Sequence, residues 1–265
     1  MKLNRTTQRT VAILKLVSKH PKGITLDEIC GLLDLPKTSA YDIITTLVSL
    51  GMVNVDHGRR QHYTIGLTAY RIGVRYTSSL DILNVLEPEL RSFAREVGKT
   101  VFFGVRSGYD VIYICKFEPE NPIITTANVG TKNPMYCTSL GKAMLAFSDE
   151  DSLEEILSGI WMEPKTEWTI RDRETLLAEL ERVRERGYAF DSREFEEHMQ
   201  CVGAPVFGKD GSLLGAISVS GLYKASEDYG RLGALVSEKA ARVSRLLGFI
   251  PQDALTNSSG ADSRG

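Results

Sequence analysis

Between residues 6 and 66 the apolar positions recur at the spacing of amphipathic helices, and they end in two short alternating runs. A first helix is predicted over 6–19, with Val11, Ala12, Ile13, Leu14 and Val17 on an amphipathic pattern that Lys15 interrupts. Thr25-Leu-Asp-Glu28 has the form of a capping box, in which the Thr hydroxyl accepts from the Glu backbone while the Glu carboxylate reaches back. Leu26, Ile29, Leu32 and Leu33 then form one apolar face. Asp34-Leu35-Pro36 breaks the helix, and Pro36 suits the first turn of the next. That second helix directs Ala40, Ile43, Ile44, Leu47 and Leu50 inward and stops at Gly51. Residues 52–55 and 61–65 read as two strands around a Gly58 turn, with Arg59 and Arg60 at the tip. A helix follows over 67–79, with Tyr70, Val74 and Thr77 on one side and Arg71 and Arg75 on another. It either pairs with a second copy or packs on what comes next.

From residue 81 the pattern changes. Asp81 is expected to cap a helix carrying Ile82, Val85, Leu86, Leu90, Phe93 and Val97, kinked at Pro88 and ended by Gly98. Strands follow at 100–105 and 111–117, then a long loop with Pro119, Pro122, Gly130 and Pro134. A short helix begins near Thr138 and Ser139, followed by acidic-capped helices over 149–157 and 173–186. A strand starts at Tyr188, a hairpin spans 201–220 around the Lys209-Asp-Gly-Ser212 turn, and a helix over 227–247 closes the fold. Antiparallel strands between long terminal helices predict an α+β domain. The small, polar residues 251–265 are expected to be a disordered tail. The predicted organisation is a DNA-binding domain over 1–66, a linker helix over 67–80 and a sensor domain over 81–250.

The helix pair carries the first functional expectation. The outer face of its second helix presents Lys37, Thr38, Ser39, Tyr41, Asp42, Thr45, Thr46 and Ser49, which are small, hydroxylic and sparsely charged. A compact polar face of this kind suits a major groove, and Arg59 and Arg60 suit the phosphates beside it. The plainer alternative is a helix pair used only for packing. Charge favours DNA. The 265 residues carry 32 Lys+Arg against 34 Asp+Glu, a net −2, but residues 1–80 hold 11 against 5 (+6) and the remainder 21 against 29 (−8). A basic module on an acidic body is implied.

The rest of the composition is that of an ordinary globular chain, 42% apolar and 25% charged. No apolar run approaches the roughly 20 residues of a membrane span, and no secretory signal pattern is present. Cys30, Cys115, Cys137 and Cys201 are far apart, as expected for reduced thiols in a cytoplasm.

Three segments have the chemistry to hold a small polar molecule. The backbone of Ser139, Leu140 and Gly141 opens a helix, where amide groups can cradle a carboxylate. Asp191 and Cys201 flank a polar loop. Ser218 and Ser220 are two apart on a strand, and so on one face, in an otherwise apolar segment. A catalytic alternative pairs Cys201 with His198 as base. A metal-sensing alternative joins them to Asp191 and the acidic run from Glu194 to Glu197. Neither a third orienting group nor a second Cys/His cluster is visible. No cofactor, functional metal or enzyme activity is expected.

Several motifs resemble the IclR family of bacterial transcription regulators. Gly187-Tyr-Ala-Phe-Asp191-Ser-Arg-Glu194, six residues, then Cys201-Val-Gly-Ala-Pro-Val-Phe207 follows the family signature until Gly208, where the family has Asp or Asn. Pro36-Lys-Thr-Ser-Ala40, Tyr63-Thr-Ile-Gly-Leu67, Ser139-Leu-Gly-Lys-Ala143 and Ile217-Ser-Val-Ser-Gly221 match in order, so that the resemblance spans about 6–249. It implies a winged helix-turn-helix joined to a GAF-like effector domain, in a homodimer or dimer of dimers that binds a double-stranded operator and answers to a small organic acid. The positions matching Ser139, Leu140, Asp191, Met199, Cys201, Ser218 and Ser220 line the family's ligand pocket. One departure concerns DNA: Asp42 stands where the family has Arg. Asp accepts hydrogen bonds, for example from cytosine N4, but cannot clamp guanine or phosphate. Either it faces a base, or it points away and pairs with a basic neighbour.

Overall fold

The computed structural model describes residues 3–56, 61–78, 82–122 and 127–250, without side chains for 74–78. Two compact units emerge, Met1–Leu80 and Asp81–Gly265.

In the first unit, α1 (Arg5–Ser18), α2 (Leu26–Leu33) and α3 (Lys37–Ser49) enclose a core with the hairpin β1 (Val53–Asp56) and β2 (His62–Ile65). The capping box forms as expected: Glu28 N donates to Thr25 Oγ1 at 3.3 Å, and Thr25 N to Glu28 Oε2 at 2.8 Å. Ile13, Val17, Ile29, Ile43, Ile44, Leu47, Val53 and Tyr63 are buried together. Two expected core residues are not. Leu32 is 63% exposed, because in α2 it lies about 100° from the centre of the stripe formed by Leu26, Ile29 and Leu33. Leu50 is 62% exposed, because α3 ends at Ser49 and the chain has already turned toward Gly51, whose φ is +67°. α4 (Leu67–Ser78) closes the unit, with Leu67 and Tyr70 exposed. The Arg59–Arg60 tip, the Asp81 cap and the 251–265 tail lie outside the described residues.

The second unit is a six-stranded antiparallel sheet in the order β5-β4-β3-β8-β7-β6. Its strands are β3 (Thr100–Ser107), β4 (Asp110–Phe117), β5 (Lys132–Pro134), β6 (Ala189–Ser192), β7 (Met199–Phe207) and β8 (Leu213–Leu222). β5 falls where the sequence predicts only loop. Three residues with no alternating pattern become a strand because the open edge of β4 supplies their partners, as in Asp110↔Pro134.

The sheet's two faces are covered differently. Val101, Phe103, Val202, Ile217 and Val219 share one face in register, toward α5 (Ile82–Val97) and α9 (Tyr229–Leu246). Phe102, Val111, Tyr113 and Ala216 share the other, against α6 (Ser139–Ala146) and α8 (Arg173–Arg186). α7 (Glu150–Gly159) adds Leu153, Ile156 and Leu157 to that core.

α6 is buried along its whole length and lies directly on the sheet. Gly203 makes this possible: a Cβ there would sit 2.7 Å from the Ser139 carbonyl oxygen. Gly203→Ala is therefore expected to force α6 away from β7. Overpacking of this kind costs about 1–3 kcal/mol, or roughly 2–12 °C in the melting temperature of a unit of this size. An unshifted melting curve would mean that α6 is free to yield.

Candidate functional site

α3 offers the polar face that the sequence predicts. Lys37, Thr38, Tyr41, Asp42 and Thr45 are exposed, and Ser39 is half-buried. The local bonding changes what these groups can do. Thr45 Oγ1 donates to Tyr41 O at 2.8 Å, and Thr46 Oγ1 to Asp42 O at 2.8 Å. With their protons committed to the helix, both threonines present a methyl group and acceptor lone pairs outward. Lys37 is paired with Asp27 of α2 at 2.6 Å, in an exposed bridge that a phosphate can compete with. The Asp42 carboxylate has no basic partner among the described residues, so the pairing considered for it is not seen there.

Arg9, which sequence reasoning passed over, donates from Nη1 to Ser39 Oγ at 3.1 Å. A guanidinium of α1 thus reaches the beginning of α3. The signal available in the sequence was the pair Arg5 and Arg9, four residues apart where the predicted first helix begins.

On the other unit, a cavity of about 30 Å³ opens between the α6-covered sheet face and residues 193–198. That is room for one or two waters. Asp191, Met199, Cys201 and Ser220 line it, joined by Phe102, Tyr113, Ala127, Asn133, Phe195 and Glu196. The convergence comes from register, since Asp191 of β6 pairs with Cys201 of β7, and Cys201 with Ser220 of β8. Phe102 stacks on Tyr113 with centroids 4.9 Å apart, and Asn133 Nδ2 donates to the Tyr113 hydroxyl at 3.2 Å. Asn133 belongs to the strand that the sequence reading missed.

Ser139, Leu140, Gly141 and Ser218 are buried but are not lining residues. Ser218 pairs with Gly203, one step along the sheet from Ser220, where α6 begins to cover it. At the start of α6, Gly141 N already donates to Thr138 Oγ1 at 3.2 Å. The amides of Ser139 and Leu140 have no acceptor among the described residues.

Asp191 is buried, and its Oδ1 accepts from Glu194 N at 2.8 Å and Phe195 N at 3.2 Å, fixing the turn into residues 193–198. No described residue donates to its Oδ2. Burial pushes its carboxyl up to about 7, against the pull of nearby Lys142 and with a further push from Glu194. Lys142, only 1% exposed, is ion-paired with Glu194, whose other oxygen, Oε2, is buried without a partner among the described residues. Burial raises the Glu194 carboxyl as well. This pair was also missed, although both residues lie inside the motif matches around 139–143 and 187–194.

The arrangement does not suit nucleophilic catalysis. Burial pushes the Cys201 thiol well above its usual range, the opposite of what a nucleophile needs. His198 is exposed in the turn that precedes β7, whereas Cys201 lies within the strand. Among the described residues no three His, Cys, Asp or Glu side chains are grouped to hold a metal.

Comparison with known proteins agrees with the two-unit architecture. Residues 6–57 match the IclR helix-turn-helix domain, and residues 74–245 match the bacterial transcriptional regulator IclR C-terminal domain. The regulator KdgR of Escherichia coli is 28% identical over 230 residues, 86% of this chain and 87% of its own. The crystal structure of the Thermotoga maritima IclR aligns with a TM-score of 0.75 at 30% identity, covering 92% of this chain and 99% of that one. An IclR homolog from Microbacterium hydrocarbonoxydans, complexed with 4-hydroxybenzoate, shares the fold with a TM-score of 0.79 at 18% identity, over 91% and 98% of the two chains. A winged helix-turn-helix followed by an α+β sensor unit, matched over most of the chain, makes this protein a member of the IclR family of DNA-binding transcriptional regulators.

Proposed function

We propose that this regulator is an acid-controlled switch: a homodimer, or a dimer of dimers, that binds a pseudo-palindromic operator and changes its affinity when a small carboxylate occupies the sensor cavity. The observation that carries the reading is the convergence of Asp191, Cys201 and Ser220 on one cavity. The amides of Ser139 and Leu140, which have no acceptor among the described residues, suit the anionic end of a ligand that reaches past the present lining of the cavity. Asp191 and Ser220, with Ser218 beside them, suit its hydroxyl or carbonyl groups. The 4-hydroxybenzoate bound by the Microbacterium relative is an acid of this class, which supports the choice. Leu67 and Tyr70, three apart and exposed on α4, support helix pairing between two copies. A DNA partner and four free cysteines support a cytoplasmic location.

The cavity admits only water-sized occupants as it stands, so an organic acid needs lining residues to move on entry. Thermal stabilisation by members of a carboxylate library is the first test, since a ligand of the native state alone must raise the melting temperature. Loss of one hydrogen bond to a charged ligand removes about 1.5–3 kcal/mol, so Ser220→Ala is expected to weaken binding roughly tenfold or more. At saturation the ligand must shift operator affinity by about 5–150-fold. An operator affinity unchanged by a bound acid would end the reading as a switch.

On the DNA side, Asp42→Arg is expected to change the preferred sequence, because a donor replaces an acceptor at an exposed position of α3. Selection from random duplexes by both proteins tests this. Identical preferences would remove Asp42 from the base-reading set.

A further inference from the structure

Beside the sensor cavity, one ammonium group serves two carboxylates. Lys142 of α6 pairs with Glu194, and Asp191 of β6, whose backbone neighbours it caps, lies in the same buried region. We propose that the cavity takes up its acidic ligand together with one proton, which Asp191 holds and donates as a hydrogen bond to the ligand. This rests on the acid-sensing reading above and adds its regulation: the regulator reads the acid and the proton jointly.

Among the described residues around the cavity, none brings an unengaged positive charge to meet the ligand's negative one. From α6 comes Lys142, already engaged by Glu194. From residues 193–198 come Glu194 and Glu196, both acidic, while Arg193 is turned onto the Trp168 ring, 3.5 Å from its centroid. β7 contributes the Cys201 thiol and β4 the Tyr113 phenol, and Cys137 precedes α6. Burial raises all three and keeps them neutral. α8 adds Glu179, which is held by Arg182 and Arg186. None of the described lining residues is a cation.

With both carboxylates ionised, the Lys142, Glu194 and Asp191 cluster carries a net −1. An entering carboxylate would make it −2 in a region of low dielectric, where like charges repel strongly and water cannot screen them. Protonating one carboxylate restores the balance. Asp191 is the one to take the proton, because Glu194 is held in its ion pair and no described residue donates to Asp191 Oδ2. A proton from water passes to Asp191, whose O–H then donates to an oxygen of the ligand. No covalent bond in the ligand changes. With the Asp191 carboxyl near 7 in the empty protein, affinity for an acid is expected to be about tenfold tighter at pH 6 than at pH 8.

The first arm of the test needs no ligand. In the full chain labelled with ¹³C-carboxyl aspartate, the Asp191 resonance, assigned by its loss in Asp191→Asn or Asp191→Ser, is followed across the neutral range. A midpoint near neutrality is expected. A carboxyl already ionised throughout that range overturns the inference alone and leaves the acid-sensing reading standing. In the second arm, acetate and 4-hydroxybenzoate are titrated calorimetrically at pH 6 and pH 8, in buffers of different ionisation heat. Tighter binding at pH 6 and net proton uptake at pH 8 are expected in the wild type, both lost in Asp191→Asn. Equal affinities without proton uptake overturn the proposal. If Asp191 titrates near neutrality but neither acid binds at tens of millimolar at pH 6, the carboxylate reading fails, and the proton coupling fails with it.

Discussion

Lys142→Met is expected to destabilise the sensor unit by about 3–5 kcal/mol at pH 8, the usual loss when one partner of a buried ion pair is removed. Met matches the length of the Lys stem, so packing around α6 is largely kept and the loss reports charge. It strands Glu194, whose second oxygen already lacks a partner among the described residues, and removes the ammonium that draws the Asp191 carboxyl down. Both carboxyls are raised in the native protein, and without Lys142 they rise further. The deficit should therefore shrink as the pH falls and the stranded carboxylates take up protons. Adding Glu194→Leu should recover most of the loss, since replacing both partners of a buried pair by apolar groups is often neutral or stabilising. Urea unfolding followed by tryptophan fluorescence measures this in the right place, because both tryptophans, Trp161 and Trp168, belong to the second unit. A deficit below about 1 kcal/mol at pH 8 would show that water reaches the pair in solution.

Asp191→Asn should flatten the pH dependence of stability between about pH 4 and pH 7. The Asp191 carboxyl is pushed by burial from 3.8 to about 7, so across that interval the native protein holds a proton that the unfolded chain has released. The stabilisation is full below the unfolded value and is lost as the pH rises through the native one. About three units at roughly 1.36 kcal/mol each give an upper limit of about 4 kcal/mol. At pH 8 the Asn variant, whose amide oxygen can still accept from Glu194 N and Phe195 N, should be the more stable protein. Stability curves that run parallel from pH 4 to pH 8 would mean that Asp191 is ionised throughout. A gain in stability at pH 8 with loss of the pH dependence of acid binding is the pattern expected where a titrating buried group is kept for function.

Sequence alone determined the elements governed by local chemistry. The capping box at Thr25 and Glu28, the Pro36 start and Gly51 stop of α3, and the stripe Ala40, Ile43, Ile44 and Leu47 each depend on residues within one or two turns. Such signals identify the helix-turn-helix, and the motif matches identify the family. Where the neighbour mattered, local reading failed. Leu32 and Leu50 have helical spacing, but the helix orientation and its end leave them in solvent. β5 has no strand pattern of its own and exists because β4 offers an edge.

The sensor site belongs to tertiary structure for the same reason. Alternation along one strand puts Ser218 and Ser220 on one face, but only pairing across β6, β7 and β8 sets Asp191, Cys201 and Ser220 side by side. The approach of α6 onto Gly203 then separates Ser220, which lines the cavity, from Ser218, which does not. Lys142 and Glu194 are 52 residues apart in sequence and in contact in space. Their shared burial, and with it the raised Asp191 carboxyl, is a property of the solvent-free volume that the packed elements enclose. Local periodicity specifies which face of an element is apolar. Only the packing of those faces specifies where water is excluded, and so where a charge must find a partner or a proton.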